Sequence, residues 1–225
     1  MTDDRHSRTV IITGEEGLAK LKAARVIVIG IGGVGSYAAE AVTRAGIGSV
    51  TFMDGDSVAP SNLNRQLIAL TSVLGRNKAE LMAERAKDID PDTVVTALPR
   101  FYREGDELDL TQFDWIIDAI DDVDAKTALI CRATELGVNI ISAMGAAGKT
   151  GTDFNVADIA DTSVCPLARV MRRRLREKGI EHLPVVYSAE KPMRSSGGLG
   201  TLSYVPGSAG LALAGHVIRS IALGE

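Results

Sequence analysis

The sequence of 225 residues has few of the residue types that disulfide-rich and zinc-binding proteins depend on. It contains two cysteines, Cys131 and Cys165, which cannot build a disulfide framework or a four-cysteine zinc site. Its three histidines stand at positions 6, 182 and 216 and show no metal-ligand spacing. We therefore expect neither a disulfide-stapled fold nor structural zinc.

The sequence also lacks an excess of positive charge. Asp and Glu number 29 against 25 Lys and Arg, which gives a formal net charge of -4. A protein that coats DNA non-specifically is normally basic overall, so this composition disfavours DNA as a partner. A local basic patch, and with it contact to another nucleic acid, is still compatible with the composition.

No hydrophobic run is uninterrupted over the length of a membrane span. The longest, residues 205–223, contains Pro206, His216, Arg219 and three glycines, so we expect a buried helix there. Residues 1–9 are polar and do not resemble a secretory signal. Hydrophobic residues make up 45% and charged residues 24%, which is ordinary globular composition. The expected class is a cytoplasmic protein with no membrane contact.

Apolar, strand-like segments alternate with helix-like segments over the first two thirds of the sequence. The predicted strands are residues 25–30, 49–54, 93–98, 114–119 and 138–143. The predicted helices are residues 14–23, 34–45, 76–89 and 123–136. This alternation predicts an α/β fold with a doubly wound, mostly parallel, Rossmann-like sheet.

The pattern weakens after residue 150. We expect strands at 152–158, 184–189 and 201–205, and helices at 165–178 and 207–223. These segments predict a mixed C-terminal extension of the sheet. The expected organisation is one domain over residues 1–225, with a nucleotide-binding part at about 1–150 and a substrate-side part at about 151–225.

A glycine-rich turn separates the first predicted strand from the following helix. Gly30, Gly32 and Gly35 satisfy G-x-G-x-x-G, and Gly33 is added. A backbone without Cβ atoms can approach a phosphate closely, and the start of a helix attracts anions. Asp54, at the end of the second predicted strand, is placed to accept hydrogen bonds from a ribose. The pattern predicts nucleotide binding; the alternative is a turn that only allows close helix–strand packing.

The segment after the second predicted strand favours ATP over NAD. Residues 54–66 read DGDSVAPSNLNRQ and supply Asp56, Ser61, Asn62 and Arg65, and Lys78 begins the next predicted helix. The two cationic side chains, Arg65 and Lys78, would stabilise the charge on a leaving pyrophosphate. A dehydrogenase has no evident need for them. The alternative for Arg65 and Lys78 is that they are solvated surface charges.

Two carboxylates follow the fourth predicted strand, where ligands of such a sheet bind. Asp121 and Asp122 could hold Mg²⁺ against the phosphates, since Mg²⁺ usually takes one or two carboxylates plus phosphate oxygens. The alternative is an N-cap for the helix that begins near residue 123. Both interpretations hold if Asp122 caps the helix and Asp121 contacts the metal.

This combination of motifs closely resembles the ThiF/MoeB/HesA family, bacterial relatives of the ubiquitin-activating enzymes. The resemblance runs from about Arg8 to the C-terminus and is most specific in the SNLNRQ segment, residues 61–66. It implies that ATP adenylates a carboxylate and that pyrophosphate is released. The implied nucleotide-binding residues are the glycines around Gly32, then Asp54, Asn62, Arg65 and Lys78, with Asp121 positioning Mg²⁺.

The family resemblance also implies a homodimer. Arg8 falls where family dimers insert an arginine into the partner's site, although the glutamine that usually follows this arginine is missing here. The two CxxC pairs that bind zinc in many relatives are missing too. The resemblance leaves a monovalent cation open as a further cofactor.

Within the family, the sequence is most similar to the enzymes that act on threonylcarbamoyladenosine next to the tRNA anticodon. The segments SRT, TGEEGLAKLK, AIDDVDAK and GTLSYVPGSAGLALAGHVIR carry this similarity. It implies an acyl-adenylate that the neighbouring carbamoyl group attacks, so that a ring closes and one water is lost overall. The alternative is adenylation of the C-terminal glycine of a ubiquitin-like sulfur carrier.

A basic helix is predicted near the C-terminal third. At 100° per residue, Arg169, Arg172, Arg173 and Arg176 share one face, which predicts contact with the tRNA backbone; the alternative is a solvated helix face. Cys165 lies at the start of this helix, where the helix N-terminus and the arginines would favour a reactive thiolate. Its chemical role stays open.

Overall fold

In a computed structural model of the protein, residues 5–193, 196 and 198–224 are described. The expected domain boundaries at residues 1 and 225 lie outside this range. The helices are α1 (Ser7–Ala23), α2 (Gly35–Ala45), α3 (Lys78–Ile89), α4 (Val123–Glu135), α5 (Pro166–Glu177) and α6 (Val205–Leu223). The strands are β1 (Arg25–Ile29), β2 (Ser49–Met53), β3 (Val94–Leu98), β4 (Trp115–Asp118), β5 (Asn139–Ala143), β6 (Asn155–Asp158) and β7 (Pro184–Tyr187).

All of these strands form one sheet in the order β3-β2-β1-β4-β5-β7-β6. Neighbours are parallel except β6, which runs antiparallel to β7. The doubly wound, mostly parallel sheet with a mixed extension is therefore confirmed. The chain runs from β1 towards β2 on one side and places β4 on the other. Loops leaving the carboxyl ends of β1 and β4 diverge, and this opens a crevice for a ligand.

Both faces of the sheet are covered by helices. On β1, Val26 and Val28 join the cluster that contains residues of α1, α2, α3 and α6, whereas Ile27 and Ile29 join the cluster with residues of α4 and α5. Successive strand residues point to opposite faces. A strand buried on both faces therefore reads as a continuous apolar run, as RVIVI does here.

Helix α6 packs closely across α2 and is largely buried, as expected. A Cβ added to Gly210 would overlap the carbonyl oxygen of Val34, so the two backbones approach at a distance that only glycine allows. Leu211 and Leu223 are exposed on its outer side. Among the described helices, none has the length and hydropathy needed to cross a bilayer.

The expected strand at residues 201–205 is wrong. Residues 201–204 form no strand, and helix α6 begins at Val205 with Pro206 in its first turn. Proline suits that position because its fixed φ is helical and its missing N–H would have no intrahelical partner.

The first predicted helix is longer than expected. It begins at Ser7 rather than at residue 14, and Gly14, with φ 69° and ψ 171°, interrupts it. His6, just before the helix, is buried and lies 3.1 Å from the Asp90 carboxylate. This tertiary contact stabilises the helical conformation of the segment SRTVIIT, which is rich in β-branched residues and has little helix propensity of its own.

Candidate active site

A cleft of about 1050 Å³ opens at the carboxyl ends of β1, β2, β4 and β5. Most of the residues predicted to bind nucleotide line it, namely Gly30, Gly32, Gly33, Asp54, Asp56, Asn62, Arg65, Lys78, Asp121 and Asp122. Gly35, Ser61 and Arg8 are not among its lining residues. The structure thus brings predicted residues up to 92 positions apart in sequence, Gly30 and Asp122, to one cavity.

The glycine loop divides into two structural roles. Gly30 has φ 91°, and its N–H donates to the Met53 carbonyl at 2.8 Å. A Cβ on Gly35 would overlap the carbonyl oxygen of Gly30. Gly30 and Gly35 therefore close the turn, while Gly32 and Gly33 face the cleft. The prediction that Gly35 contacts nucleotide is not supported by its position, because it packs against the turn itself.

Asp54 is buried at the end of β2 and ties two loops together. Its Oδ2 accepts a hydrogen bond from the Ile31 N–H at 2.6 Å and its Oδ1 accepts one from the Asp56 N–H at 2.8 Å. Burial raises the pKa of Asp54 above its ordinary value, although these hydrogen bonds and the nearby Lys78 oppose the rise. Each oxygen retains acceptor capacity for a ribose hydroxyl.

Lys78 presents its ammonium group to the floor of the cleft. It begins α3, where the Asn77 side chain caps the helix by accepting from the N–H groups of Ala79 and Glu80. The Lys78 side chain is 6% exposed, and its Nζ lies 2.9 Å from Asp56 Oδ2. Asp56 itself is 57% exposed. A bound phosphate would compete with this exposed carboxylate for the ammonium.

The turn over residues 59–66 holds Asn62 and Arg65 beside the glycine loop. Asn62 Oδ1 accepts from the Ala59 N–H at 3.0 Å, and Arg65 Nη1 donates to the Ser61 carbonyl at 2.7 Å and to Asn64 Oδ1 at 2.9 Å. One guanidinium nitrogen thus fixes the turn, and the others remain for a ligand. The Ser61 side chain is exposed and is not among the lining residues of the cleft, so its contact with nucleotide stays a prediction.

The two carboxylates after β4 take different positions. Asp122 Oδ1 accepts from the Ala125 N–H at 2.8 Å and so caps α4, as one of the alternatives predicted. Asp121 is exposed at the wall of the cleft. Among the described residues, no group of three or more His, Cys, Asp or Glu side chains is arranged to hold a metal. The arrangement that fits these residues is Mg²⁺ held by one carboxylate and by phosphate oxygens.

Gln66 is a site residue that the sequence analysis missed. It lines the cleft next to Gly32 and is 7% exposed. Its buried Oε1 has no hydrogen-bond partner among the described residues, and such groups are rare in folded proteins. Gln66 is the last residue of the SNLNRQ segment, so the motif itself could have indicated it as a site residue. Its amide is available to a ligand.

Replacing Gln66 by leucine should weaken ATP binding about 10- to 100-fold, because one polar contact in a buried site is lost. The free energy of unfolding should not fall, since the buried Oε1 that leaves has no partner. Isothermal titration calorimetry and urea unfolding measure the two quantities. Gln112→Leu, at an exposed position in the chain, is the matched control. An unchanged dissociation constant for ATP in Gln66→Leu would remove Gln66 from the site.

The loop after β3 supplies a wall of the cleft that no sequence motif indicated. Arg100, Phe101, Tyr102 and Arg103 line it. The ring of Phe101 covers Gly55, where an added Cβ would lie 2.5 Å from the ring. A side chain at position 55 would therefore displace this wall.

Cys165 and the basic helix lie beside the cleft rather than in it. The Cys165 thiol is buried behind Gly145, 3.5 Å from where a Cβ on that glycine would stand, so it is not accessible as a nucleophile.

The four predicted arginines of α5 line a separate recess of about 420 Å³. Arg172 differs from the others, because its Nη1 donates to the Thr162 carbonyl at 2.7 Å and to Thr162 Oγ1 at 2.6 Å. Arg8 is exposed on α1.

Comparison with known proteins identifies relatives over nearly the whole chain. The sequence model described as ThiF family matches residues 5–224. The chain is 38% identical over 237 residues to the tRNA threonylcarbamoyladenosine dehydratase of Bacillus subtilis, spanning 96% of this chain and 93% of that protein. It is 39% identical over 175 residues to the Escherichia coli protein of the same name, spanning 76% of this chain and 65% of that protein.

Solved structures show the same likeness. The crystal structure of that E. coli dehydratase in complex with ATP matches with a TM-score of 0.90 at 34% identity, covering 97% of this chain and 93% of that one. The structure of E. coli MccB with ATP matches with a TM-score of 0.64 at 19% identity. At this identity, the match shows only that the two proteins share a fold.

Proposed function

The chain belongs to the ThiF family, and we propose that it dehydrates threonylcarbamoyladenosine in tRNA at the expense of ATP. The observation that carries the proposal is that Gly32, Gly33, Arg65 and Lys78 all line one cleft at the carboxyl ends of the parallel strands. A related dehydratase that shares the fold over 97% of this chain binds ATP. The cytoplasmic location is part of the proposal, because tRNA occurs in that compartment.

The first step joins two anions, so the site must reduce their repulsion. An oxygen of the threonine carboxylate attacks the α-phosphorus, the bond from that phosphorus to pyrophosphate breaks, and an acyl-adenylate forms. Arg65 and Lys78 lie where they would bind the phosphates and stabilise the charge on the departing pyrophosphate. Gly32 and Gly33 let the backbone approach the phosphates. Asp121 would hold Mg²⁺, which supplies further charge neutralisation.

The second step closes a ring within one side chain. The carbamoyl group attacks the acyl carbon, the bond from that carbon to the AMP oxygen breaks, and a carbamoyl N–H proton is released. AMP leaves. Because nucleophile and activated acyl group belong to the same substituent, the reaction is unimolecular and gains a large effective concentration. The sum of both steps removes one water from the nucleoside and cleaves ATP to AMP and pyrophosphate.

Nucleoside mass spectrometry tests the proposal. The purified protein is incubated with ATP, Mg²⁺ and tRNA that carries threonylcarbamoyladenosine, and the tRNA is digested under mild neutral conditions. We expect loss of one water from that nucleoside only when ATP is present. If tRNA shown to carry the substrate stays unchanged, the proposed reaction is wrong, and exchange of pyrophosphate into ATP with small carrier proteins becomes the next assay.

We also propose that the tRNA backbone lies along α5. This helix begins at the cleft, where Leu167 is a lining residue, and Arg173 and Arg176 lie roughly 9 and 14 Å further along the axis. Arg169, Arg173 and Arg176 are exposed, so their charges are available to phosphates. Arg172 is excluded from the test because its guanidinium holds the turn at Thr162.

Replacing Arg169, Arg173 and Arg176 together by glutamine should weaken tRNA binding at least tenfold at physiological salt. The slope of log affinity against log salt should flatten by roughly two to three units. Filter binding over a salt series measures both, and the ATP dissociation constant should not change. Arg174→Gln is the control, because Arg174 shares the helix but contacts Asp124 outside the recess. Unchanged tRNA binding would remove α5 from the interface.

We further propose a homodimer in which the first half of α1 lies against the partner subunit. Ile11 and Ile12 are 71% and 77% exposed there, next to Arg8. Replacing both isoleucines by glutamate should give a monomer by light scattering and abolish dehydration. Arg8→Ala should keep the dimer but lose activity. Leu136→Glu, at an exposed apolar residue outside α1, is the control. A monomeric wild-type protein at assay concentration would contradict the proposal.

A further inference from the structure

Three polar side chains form a closed network beneath the part of the cleft that Asp121 lines. Asp118 ends β4, Lys126 lies in the second turn of α4, and Ser142 lies on β5; each is 0% exposed. Lys126 Nζ donates to Asp118 Oδ2 at 2.7 Å and to Ser142 Oγ at 3.0 Å. The Ser142 hydroxyl donates to the same carboxylate oxygen at 2.6 Å. The other oxygen, Oδ1, accepts from the Ile120 N–H at 3.0 Å.

Stability alone does not account for this network. Removing two charges from water is costly, and well-packed apolar residues often replace a buried ion pair without loss of stability. An apolar cluster would also match the surroundings, since Ile116 and Ile117 of β4 and Ile141 of β5 are buried beside it. The fixed arrangement of these charged and polar groups beneath the cleft points to a requirement for a defined geometry of the cleft wall above them.

The network is joined to the cleft by each of its members. Asp118 continues into Ala119, Ile120 and Asp121, which line the cleft, and its Oδ1 fixes the Ile120 backbone directly before Asp121. Ser142 continues into the lining residues 143–147. Lys126 follows Ala125, at the end of α4 that also faces the cleft.

We propose that Asp118, Lys126 and Ser142 are positioning residues that hold Asp121 at the distance from the phosphates that Mg²⁺ requires. The inference rests on the proposed function, in which Asp121 binds that ion. Mg²⁺ demands near-ideal octahedral geometry, so a carboxylate on a loosely held loop would serve it poorly. The buried network locks the ends of β4 and β5 together and leaves the Asp121 loop one conformation.

The test measures how strongly Mg²⁺ and ATP promote each other's binding. Calorimetry gives the ATP dissociation constant with and without Mg²⁺, and the ratio reports the Asp121 contact without any turnover. The variants are Ser142→Ala, which removes one hydroxyl, and the double replacement Asp118→Leu with Lys126→Met, which removes the ion pair as a unit. Thr127→Val is the matched control, because it removes a buried hydroxyl from the neighbouring position of α4, where the Thr127 hydroxyl donates to Val123.

We expect the Mg²⁺-dependent ratio to fall about 10-fold or more in both variants, as replacing residues behind a metal ligand typically does. ATP binding without Mg²⁺ should stay within about twofold of wild type, a range well below one tenfold step in affinity. A ratio unchanged in a folded Ser142→Ala protein would overturn the inference, even if the double variant failed to fold. The dehydration assay on the wild-type protein tests the proposed reaction, and its failure would reject that reaction. The ratio of ATP dissociation constants with and without Mg²⁺ would still decide the role of the network.

Discussion

Arg65→Ala should lower kcat/KM for tRNA dehydration about 10³-fold. The aliphatic stem of Arg65 lies beside Gly33, whose added Cβ would stand 3.3 Å from Arg65 Cγ, and both residues line the cleft. Charge that develops on the leaving pyrophosphate then loses its stabilising cation, a loss typically worth 10²- to 10⁵-fold. Arg65→Lys should recover only part of the rate, because an ammonium lacks the planar fork of donors.

Initial rates from nucleoside mass spectrometry measure this effect, and thermal unfolding separates it from damage to the turn that Arg65 Nη1 holds. Arg44→Ala is the control, because Arg44 is exposed on α2 and paired with Glu40. The dehydration rate of this variant should stay within about twofold of the wild-type rate, as for most surface substitutions. If folded Arg65→Ala protein dehydrated tRNA at the wild-type rate, Arg65 would have no part in the reaction.

Gly35→Ala should abolish ATP binding and destabilise the fold by about 3 kcal/mol, the upper range for overpacking a buried position. The added methyl group would overlap the Gly30 carbonyl oxygen, and that oxygen belongs to backbone in the turn that faces the ligand. The loop must therefore open. For a chain of this size the expected drop in melting temperature is roughly 6 to 12 °C.

Calorimetric unfolding and ATP titration check both parts of this expectation. Gly215→Ala provides the opposite control, because a Cβ there meets nothing within 4 Å and alanine favours a helix interior by about 0.5–1 kcal/mol. It should bind ATP normally and melt slightly higher. Wild-type ATP affinity in Gly35→Ala would show that the turn tolerates the overlap and that its spacing does not depend on glycine.

The nucleotide-binding half of the fold was predictable because its central strands β1, β2, β4 and β5 are buried along most of their length. Runs such as RVIVI at Arg25–Ile29 have no alternation to misread, and the glycine-rich turn after this strand leads into helix α2, which ends at Gly46. The C-terminal part was harder. TLSYV at 201–205 has the composition of a strand, but its last residue starts a helix, because Pro206 and the small residues after it favour close packing of α6 on α2.

The N-terminal half of α1 was missed for a different reason. Its residues have weak helix propensity, and it is fixed by contacts distant in sequence, such as His6 with Asp90. Sequence periodicity cannot register such a contact. The position of Gly14 in the left-handed region also divides the helix, so that only the half after the glycine carried a recognisable pattern.

The candidate site was predictable where a local motif supplied it and not elsewhere. Asp54, Asn62, Arg65 and Lys78 stand in segments with their own spacing, and the structure gathers them. The motif did not reveal that the Ser61 side chain is exposed while that of Asn62 is buried. The pairing of Asp118 with Lys126 and Ser142 spans separations of 8 and 24 residues, with no local pattern to mark it.

The reversal of strand order between β1 and β4 has an evolutionary consequence. The residues proposed to bind phosphate follow β1 and β2, whereas the loop after β5 and the start of α5 border the other half of the cleft. These two groups stand on different strands and are joined by the sheet and by helix α6, which packs on α2 and on β5. Mutation can therefore remodel the half that selects the acceptor molecule while the triphosphate-binding half is preserved, so one ancestral activation chemistry can be inherited by lineages that act on different acceptors.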